Sequence, residues 1–424
     1  MEPAHHLLLL GGFLGLLGIA AGLVSARLGT PVLLAFLALG MLAGKGGPGG
    51  IVFDDFRAAY LIGSAALAII LFEGGLKTRR ATLRLVLWPA LALATAGVAI
   101  IAVLVAAFFV LVLFLLSASP PWPHPVWALA LLIGAAVAPT DAAAVSLMLR
   151  RARVVVPERV TAVLEVESGL NDPVAVFLTM LVTHWLLSPG GMTAGQGALL
   201  LVQEMAGGAI MGIAGGRALL FALRRIRVEA ALCPALALMG ALALFGAAQS
   251  AGASGFLAVY LAGVVIGNGG LGARAGVEHF FEAFGWLAQI VLFLMFGLLA
   301  TPQEILPSSL VGLIAIVAAG LLARSVACSA CLLPFGFTLR ETAFASWVGL
   351  RGAVPIYLTT IPLLAGVEGA HILFEPTFAI VVISLLAQGW TIAPVARLLG
   401  FPRGADRRSQ APAPDPPPAV RRRG

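Results

Sequence analysis

Charge is scarce in this sequence: 19 Asp+Glu and 26 Lys+Arg make up 11% of the 424 residues, against 60% apolar residues and a mean hydropathy of +1.04. A water-soluble domain cannot clothe its surface with so few charges, which excludes a soluble globular protein. Cysteine is equally thin. Cys233, Cys328 and Cys331 all lie in or beside apolar segments and read as small buried hydrophobes, including the pair spaced as CxxC. No HExxH helix is present, so a zinc protease of that kind is excluded, and no TVGYG-like loop supplies a potassium-channel filter. A GxSG pattern at 252–255, around Ser254, is a weak word in a chain with 50 glycines and reads as a turn between two apolar segments.

What the chain does contain is apolar runs long enough for the ~20 residues that cross a hydrocarbon core. About thirteen are discernible, over 7–28, 31–44, 58–77, 83–116, 126–150, 158–187, 197–223, 229–250, 253–271, 277–300, 306–334, 340–365 and 373–398. The expected fold is therefore an all-α polytopic membrane protein. The first run follows Glu2 and His5 rather than a basic stretch, so it reads as a retained helix and not as a cleaved signal. Residues 401–424 turn to Pro, Ala and Arg, a composition that cannot bury a core, and are expected to be a disordered cytoplasmic tail behind a transmembrane domain at 1–400.

Basic residues retained in cytoplasmic loops give the orientation. Of the 26 Lys+Arg, 22 fall on one side of the thirteen-span alternation, only Lys45 and Arg57 lie opposite, and Arg324 and Arg351 remain within spans. The N-terminus is expected outside and the C-terminus in the cytoplasm of a cell (inner) membrane. The net charge of +7 is thus a topology signal and not a nucleic-acid-binding surface.

Ionisable groups at bilayer depth are costly and mark pathways or relays. The chain places Glu73 in LFEGGL on the third span, Asp141 in VAPTDAAAV on the fifth, and Glu165, Glu167 and Asp172 on the sixth. Arg324 and Arg351 lie on the eleventh and twelfth, while Glu204 and Glu282 lie nearer span ends. At ~1.5 Å rise per residue, Asp172 falls roughly 18 Å into the sixth span and Asp141 roughly 14 Å from the cytoplasmic end of the fifth. Both are near the midplane. On the sixth span Glu167 and Asn171 share one face, Ser168 and Asp172 another about 100° away. Pro139 beside Asp141, and Gly349, Gly352 and Pro355 around Arg351, interrupt the fifth and twelfth spans, and Pro173 is expected to loosen the sixth. If 7–187 and 229–398 are inverted halves, the two interruptions fall on the fifth helix of each, the pattern that points to a secondary transporter's site.

PTDAAAV at 139–145, ESGLNDPVAVFLT at 167–179, LFEGGL at 71–76 and GLRGAVP at 349–355 resemble the hallmarks of the monovalent cation:proton antiporters of the NhaP and sodium/proton exchanger family. The wording at 139–145 and 167–179 is most like the bacterial subgroup assigned potassium/proton exchange, whose members usually continue into cytoplasmic regulatory domains. The resemblance implies NhaA-like inverted repeats with two discontinuous crossing helices, a dimerisation domain, a mobile core domain, a homodimer and a role in pH homeostasis. It implies that Asp172 binds the monovalent cation or the proton, that Asp141 supports it, and that Thr140 and Ser168 offer oxygen ligands. Glu73 matches a cation-site position of some members. Asn171 stands where electrogenic relatives carry an aspartate, which favours electroneutral one-for-one exchange. Glu167 would be structural, paired with Arg324 in preference to Arg351. The substrates would be Na+ or K+ and H+, with no cofactor and no enzyme activity.

Hard monovalent cations want oxygen ligands, which these residue types supply. Two membrane arginines cannot neutralise four or five membrane acids, and that excess leaves a carboxylate in need of a cation. The competing readings are helix-to-helix salt bridges without ion passage, a cation channel, and an intramembrane hydrolase using Ser254 or the aspartates.

Overall fold

A computed structural model describes residues 2–28, 31–115, 123–152, 154–188, 193–225, 232–271, 274–301 and 310–402. All but the first two residues of the expected tail, Arg421, Arg422 and Arg423 among them, lie outside the described residues. Helix is the dominant element, as apolar helix formers in lipid require, since the backbone must bond to itself there. Helices α1 Glu2–Leu28, α2 Val32–Ala43 and α3 Phe56–Lys77 come first. Proline or a polar cap opens several of them: Pro31 precedes α2, and the Asp55 carboxylate accepts from the Ala58 N–H at 2.9 Å to start α3. Next are α4 Arg80–Ala92 and α5 Val98–Leu115, joined through a π-helical turn at Leu93–Gly97 into one apolar stretch.

The segment expected as a single span over 126–150 is two helices, α6 Val126–Val137 and α7 Ala142–Ala152, separated by an unwound stretch at Ala138–Asp141. Helix α8 Glu158–Leu187 follows, then α9 Ala194–Arg225, α10 Leu232–Ser250, α11 Gly255–Gly267, α12 Arg274–Leu299 and α13 Leu310–Leu332. The segment expected at 340–365 is again two helices, α14 Leu339–Trp347 and α15 Val354–Leu364, parted at Val348–Ala353, before α16 Phe374–Leu398. Both interruptions therefore sit where the sequence concentrates Pro and Gly beside buried charge. Pro173 lies inside α8, which runs unbroken through it. Its missing N–H deprives one carbonyl a turn earlier of a donor, and the helix tolerates that loss without unwinding.

Among the described residues, seven helical stretches are long and apolar enough to cross a membrane, and shorter apolar helices, α2, α6, α11 and α15 among them, pack between them. The helices divide into two groups by what they touch. One gathers α1, α2, α3 and α9 to α12; the other gathers α4 to α8 with α13 to α16. Within the first, α3 and α11 approach backbone to backbone: a Cβ on Gly75 would lie 2.1 Å from the Tyr260 carbonyl, and one on Gly263 2.3 Å from that of Phe72. Such close crossings replace the hydrophobic drive that lipid cannot supply between helices. Between the groups contact is sparser, carried mainly by α3 and α11 against α8 and α15.

Candidate functional site

The two unwound stretches cross each other, and each supplies what the other's broken helix ends lack. Helix ends leave orphan carbonyls and N–H groups. At the α6 end, the Arg351 Nη1 donates to the carbonyls of Ala138 at 2.9 Å and Pro139 at 3.1 Å. At the α14 end, the Leu350 carbonyl accepts from the Asp141 N–H at 2.8 Å. At the start of α7, the Asp141 Oδ1 accepts from the Ala144 N–H at 2.9 Å, a negative charge at a positive helix end. Arg351 is in turn held by its own N–H, which donates to Ser384 Oγ at 3.0 Å, and the Gln388 amide of α16 donates to the Trp347 carbonyl at 2.9 Å. Gly352 permits the crossing itself, because a Cβ there would lie 2.7 Å from Asp141 Oδ2.

Helix α8 lays its polar face along this crossing. Ser168 Oγ donates to the Thr140 carbonyl at 2.8 Å, and Asn171 Nδ2 donates to Thr140 Oγ1 at 3.0 Å and, more loosely, to Glu167 Oε1 at 3.4 Å. Glu167, fully buried, receives a two-pronged bond from the equally buried Arg324: Nη1 to Oε1 at 2.5 Å and Nη2 to Oε2 at 2.8 Å. Arg324 is thus the guanidinium beside Glu167, while Arg351 serves backbone carbonyls. The division follows from reach: α13 presents Arg324 to α8, whereas Arg351 lies on the unwound strand that crosses α6.

Asp172 is one turn beyond Ser168, 9% exposed, and its Oδ1 is buried with no hydrogen-bond partner. It lies on a cavity of about 240 Å³ lined by Thr140, Asp141, Ser168 and Glu73, among others. Five predicted site residues, Asp172, Asp141, Thr140, Ser168 and Glu73, therefore share one cavity; Asn171 and Glu167 lie behind it, on the other face of α8. Glu73 is held at the cavity wall by Lys77, whose Nζ donates to its Oε1 at 2.6 Å. Two further carboxylates line the same space, Glu165 and Glu282. Glu165 was visible in the sequence as a membrane acid, and its spacing of seven from Asp172, two turns on one face, would have placed it with the site. Glu282 lies nearer a span end in the sequence, and only the approach of α12 to α3 brings it here.

Ser254 has a local structural job: its Oγ accepts from the Leu257 N–H at 3.3 Å and caps α11.

A helical membrane bundle with two interrupted helices crossing beside a buried carboxylate is the architecture of a secondary transporter. The chain belongs to the sodium/hydrogen exchanger family, whose transmembrane domain it matches over residues 13–398. It is 40% identical over 401 residues to the K(+)/H(+) antiporter NhaP of Alkalimonas amylolytica, a match spanning 94% of this chain and 68% of that protein. It is 41% identical over 400 residues to the K(+)/H(+) antiporter NhaP2 of Shewanella oneidensis, covering 94% and 67% respectively. A Na(+)/H(+) antiporter NhaP of Pseudomonas aeruginosa is 30% identical over 354 residues, covering 78% of this chain and 79% of that one. Among solved structures, the sodium proton antiporter MjNhaP1 of Methanocaldococcus jannaschii at pH 8 superposes with a TM-score of 0.78 at 21% identity, covering 94% of this chain and all of that one, and so shares its fold.

Proposed function

We propose that this protein exchanges a monovalent cation, K+ or Na+, for H+ across the inner membrane, one for one, at Asp172. The observation that carries the reading is the state of that side chain: a buried carboxylate on a cavity, with one oxygen unpartnered, while the neighbouring Glu167 is already neutralised by Arg324. An ionised carboxylate left in that condition is costly, and a proton or a bound cation relieves the cost. One carboxylate cannot hold both, so each displaces the other and the two fluxes are coupled. Asp141, Thr140 and Ser168 stand around it as oxygen donors suited to a hard cation, and Glu73, Glu165 and Glu282 line the approach. Exchange requires the site to face one side at a time, which sliding of one helix group against the other would accomplish. K+ is favoured over Na+ by the higher identity to the relatives named for K+ than to the one named for Na+. The basic-residue partition supports an N-terminus outside and a C-terminus inside, with the cavity opening to the cytoplasm, and the family resemblance supports a homodimer.

In everted vesicles holding an acid interior reported by a pH-sensitive dye, K+, Na+ and Li+ added in turn should dequench the dye, K+ at least as strongly as Na+. The response should persist when the membrane potential is clamped to zero. Silence toward all three cations would sink the proposal.

The place of Asn171 sharpens the stoichiometry. Its amide donates toward Thr140 and Glu167, away from the cavity, so an aspartate there would set a second carboxylate against Glu167 rather than add a second cation site. Asn171→Asp is expected to stay electroneutral and to lose about 1–3 kcal/mol of stability with the buried donor. Voltage-driven exchange by that variant would contradict this assignment.

A further inference from the structure

The cavity that reaches Asp172 is walled by residues 67–77 in the C-terminal half of α3 with Thr78 that follows it, by residues 165–172 in the first half of α8 and by residues 282–293 in the middle of α12. Toward the N-terminal end of α3 the two helix groups are closed against each other by aromatic rings. Tyr357 of α15, fully buried, lays its ring on Gly63 of α3, where a Cβ would come within 2.9 Å of it. The same ring stacks on Tyr60 at 5.4 Å between centroids and meets Phe256 of α11 edge-on at 6.0 Å. One layer further out, Phe56 of α3 meets Phe374 of α16 edge-to-face at 6.0 Å. Every one of these contacts joins the α3/α11 group to the α15/α16 group.

Within this apolar seal lies a polar bond. The Tyr357 hydroxyl is 2.9 Å from Ser64 Oγ. Ser64 already donates its hydrogen to the Tyr60 carbonyl at 2.7 Å, so the phenol is the donor and the serine oxygen the acceptor. Stacked rings can slide with little change in energy, but a hydrogen bond is directional and fails within about an ångström of misplacement.

We infer that Tyr357 and Ser64 form a latch in the outer gate of the exchange cycle, closed while Asp172 faces the cavity and broken when it faces the opposite side. The inference rests on the alternating-site reading above. In the opened state water enters the seam and solvates both hydroxyls, so the latch favours the cavity-facing state by the net worth of one buried hydrogen bond. That corresponds to roughly a two- to tenfold bias in population.

Two single-cysteine reporters test it, because the three native cysteines are buried and give little background. Ala59→Cys lies one turn outward of Gly63 on α3 and is fully buried, so it should react with a membrane-impermeant maleimide on intact cells only when the outer gate opens. Ser146→Cys lines the cavity and should react in everted vesicles when the site faces inward. In the parent, changing K+, Na+ and pH should move the two labelling rates in opposite directions. Tyr357→Phe and Ser64→Ala should each raise outer labelling and lower inner labelling, so that the ratio of outer to inner rates rises by about two- to tenfold. The double variant should match the singles, because the bond is already gone after one change. Reciprocal labelling in the parent with both variants at the parent's rates would overturn the latch alone. Labelling that never responds to cation or pH in the parent would overturn alternating access and the latch with it. Should Tyr357→Phe fail to fold, Ser64→Ala, which removes only one oxygen, decides the question by itself.

Discussion

Arg324→Met should lower the stability of the folded protein by roughly 3–5 kcal/mol, the cost of leaving one partner of a buried ion pair uncompensated. Glu167 has no exposure and receives both of its short bonds from Arg324; Asn171 and Thr140 reach it only at 3.4 and 3.5 Å. Without the guanidinium its charge has nowhere to go. The double change Glu167→Gln with Arg324→Met should recover most of the loss, since an apolar or neutral replacement of a whole buried pair is often close to neutral. Thermal melts of the purified protein in detergent read both values. A single variant that melts with the parent would show that Glu167 has a second compensating partner, and a double variant no better than the single would show that the loss does not come from the unpaired charge. The expectation separates the two buried acids of α8, because a structural pair must fail when either half is removed.

Much of this arrangement was legible in the sequence, and the reason is that membrane sequences have little room for ambiguity. A charge in an apolar run stands out by its cost, and a Pro or Gly beside it marks where the backbone leaves the helix. Thus PTD at 139–141 and GLRG at 349–352 announced the two unwound stretches, and the spacing of four from Glu167 to Asn171 and from Ser168 to Asp172 announced the two faces of α8. Partners across the fold were less legible. Arg324 is 157 residues from Glu167, Arg351 is 213 from the carbonyl it holds, and Tyr357 is 293 from Ser64. Helical periodicity gives the face of a residue but not which helix it meets, so choosing Arg324 over Arg351 for Glu167 rested on family resemblance rather than on spacing. The aromatic seam had no signal at all: tyrosine and phenylalanine in apolar helices look like ordinary core. Pro173 differs from the prolines at the two unwound stretches, because proline guarantees a missing donor and not a break.

The charge balance of the cavity follows from these placements. Glu73, Asp141, Glu165, Asp172 and Glu282 line it against the ammonium of Lys77, which Glu73 holds. Arg324 and Arg351, the other basic groups near the site, are turned away toward Glu167 and toward backbone carbonyls. A space with that surplus of negative charge and with low-dielectric walls concentrates cations and excludes anions. It also leaves the deepest acid, Asp172, as the group whose charge must be met from outside the protein.

Asp172→Asn should therefore abolish exchange while leaving the fold as stable as before or more so. The substitution keeps the shape and removes one charge. At an effective dielectric of ~20, a carboxylate roughly 3 Å from a bound monovalent cation contributes on the order of 5 kcal/mol, more than a thousandfold in binding. Cation-driven dequenching should fall to the level of vesicles without the protein. The stability measurement is the more discriminating of the two. In cation-free buffer at alkaline pH the parent carries an ionised Asp172 with an unpartnered buried oxygen, a destabilising condition. The asparagine variant does not, so its melting temperature should equal or exceed the parent's. Adding K+ or Na+ should raise the melting temperature of the parent by mass action, because the cation binds the folded state, and should leave the variant unmoved. If Asp172 were instead half of a structural bridge, the asparagine would melt lower in every buffer, and both proteins would respond to the cation alike. That pattern would remove Asp172 from the exchange site.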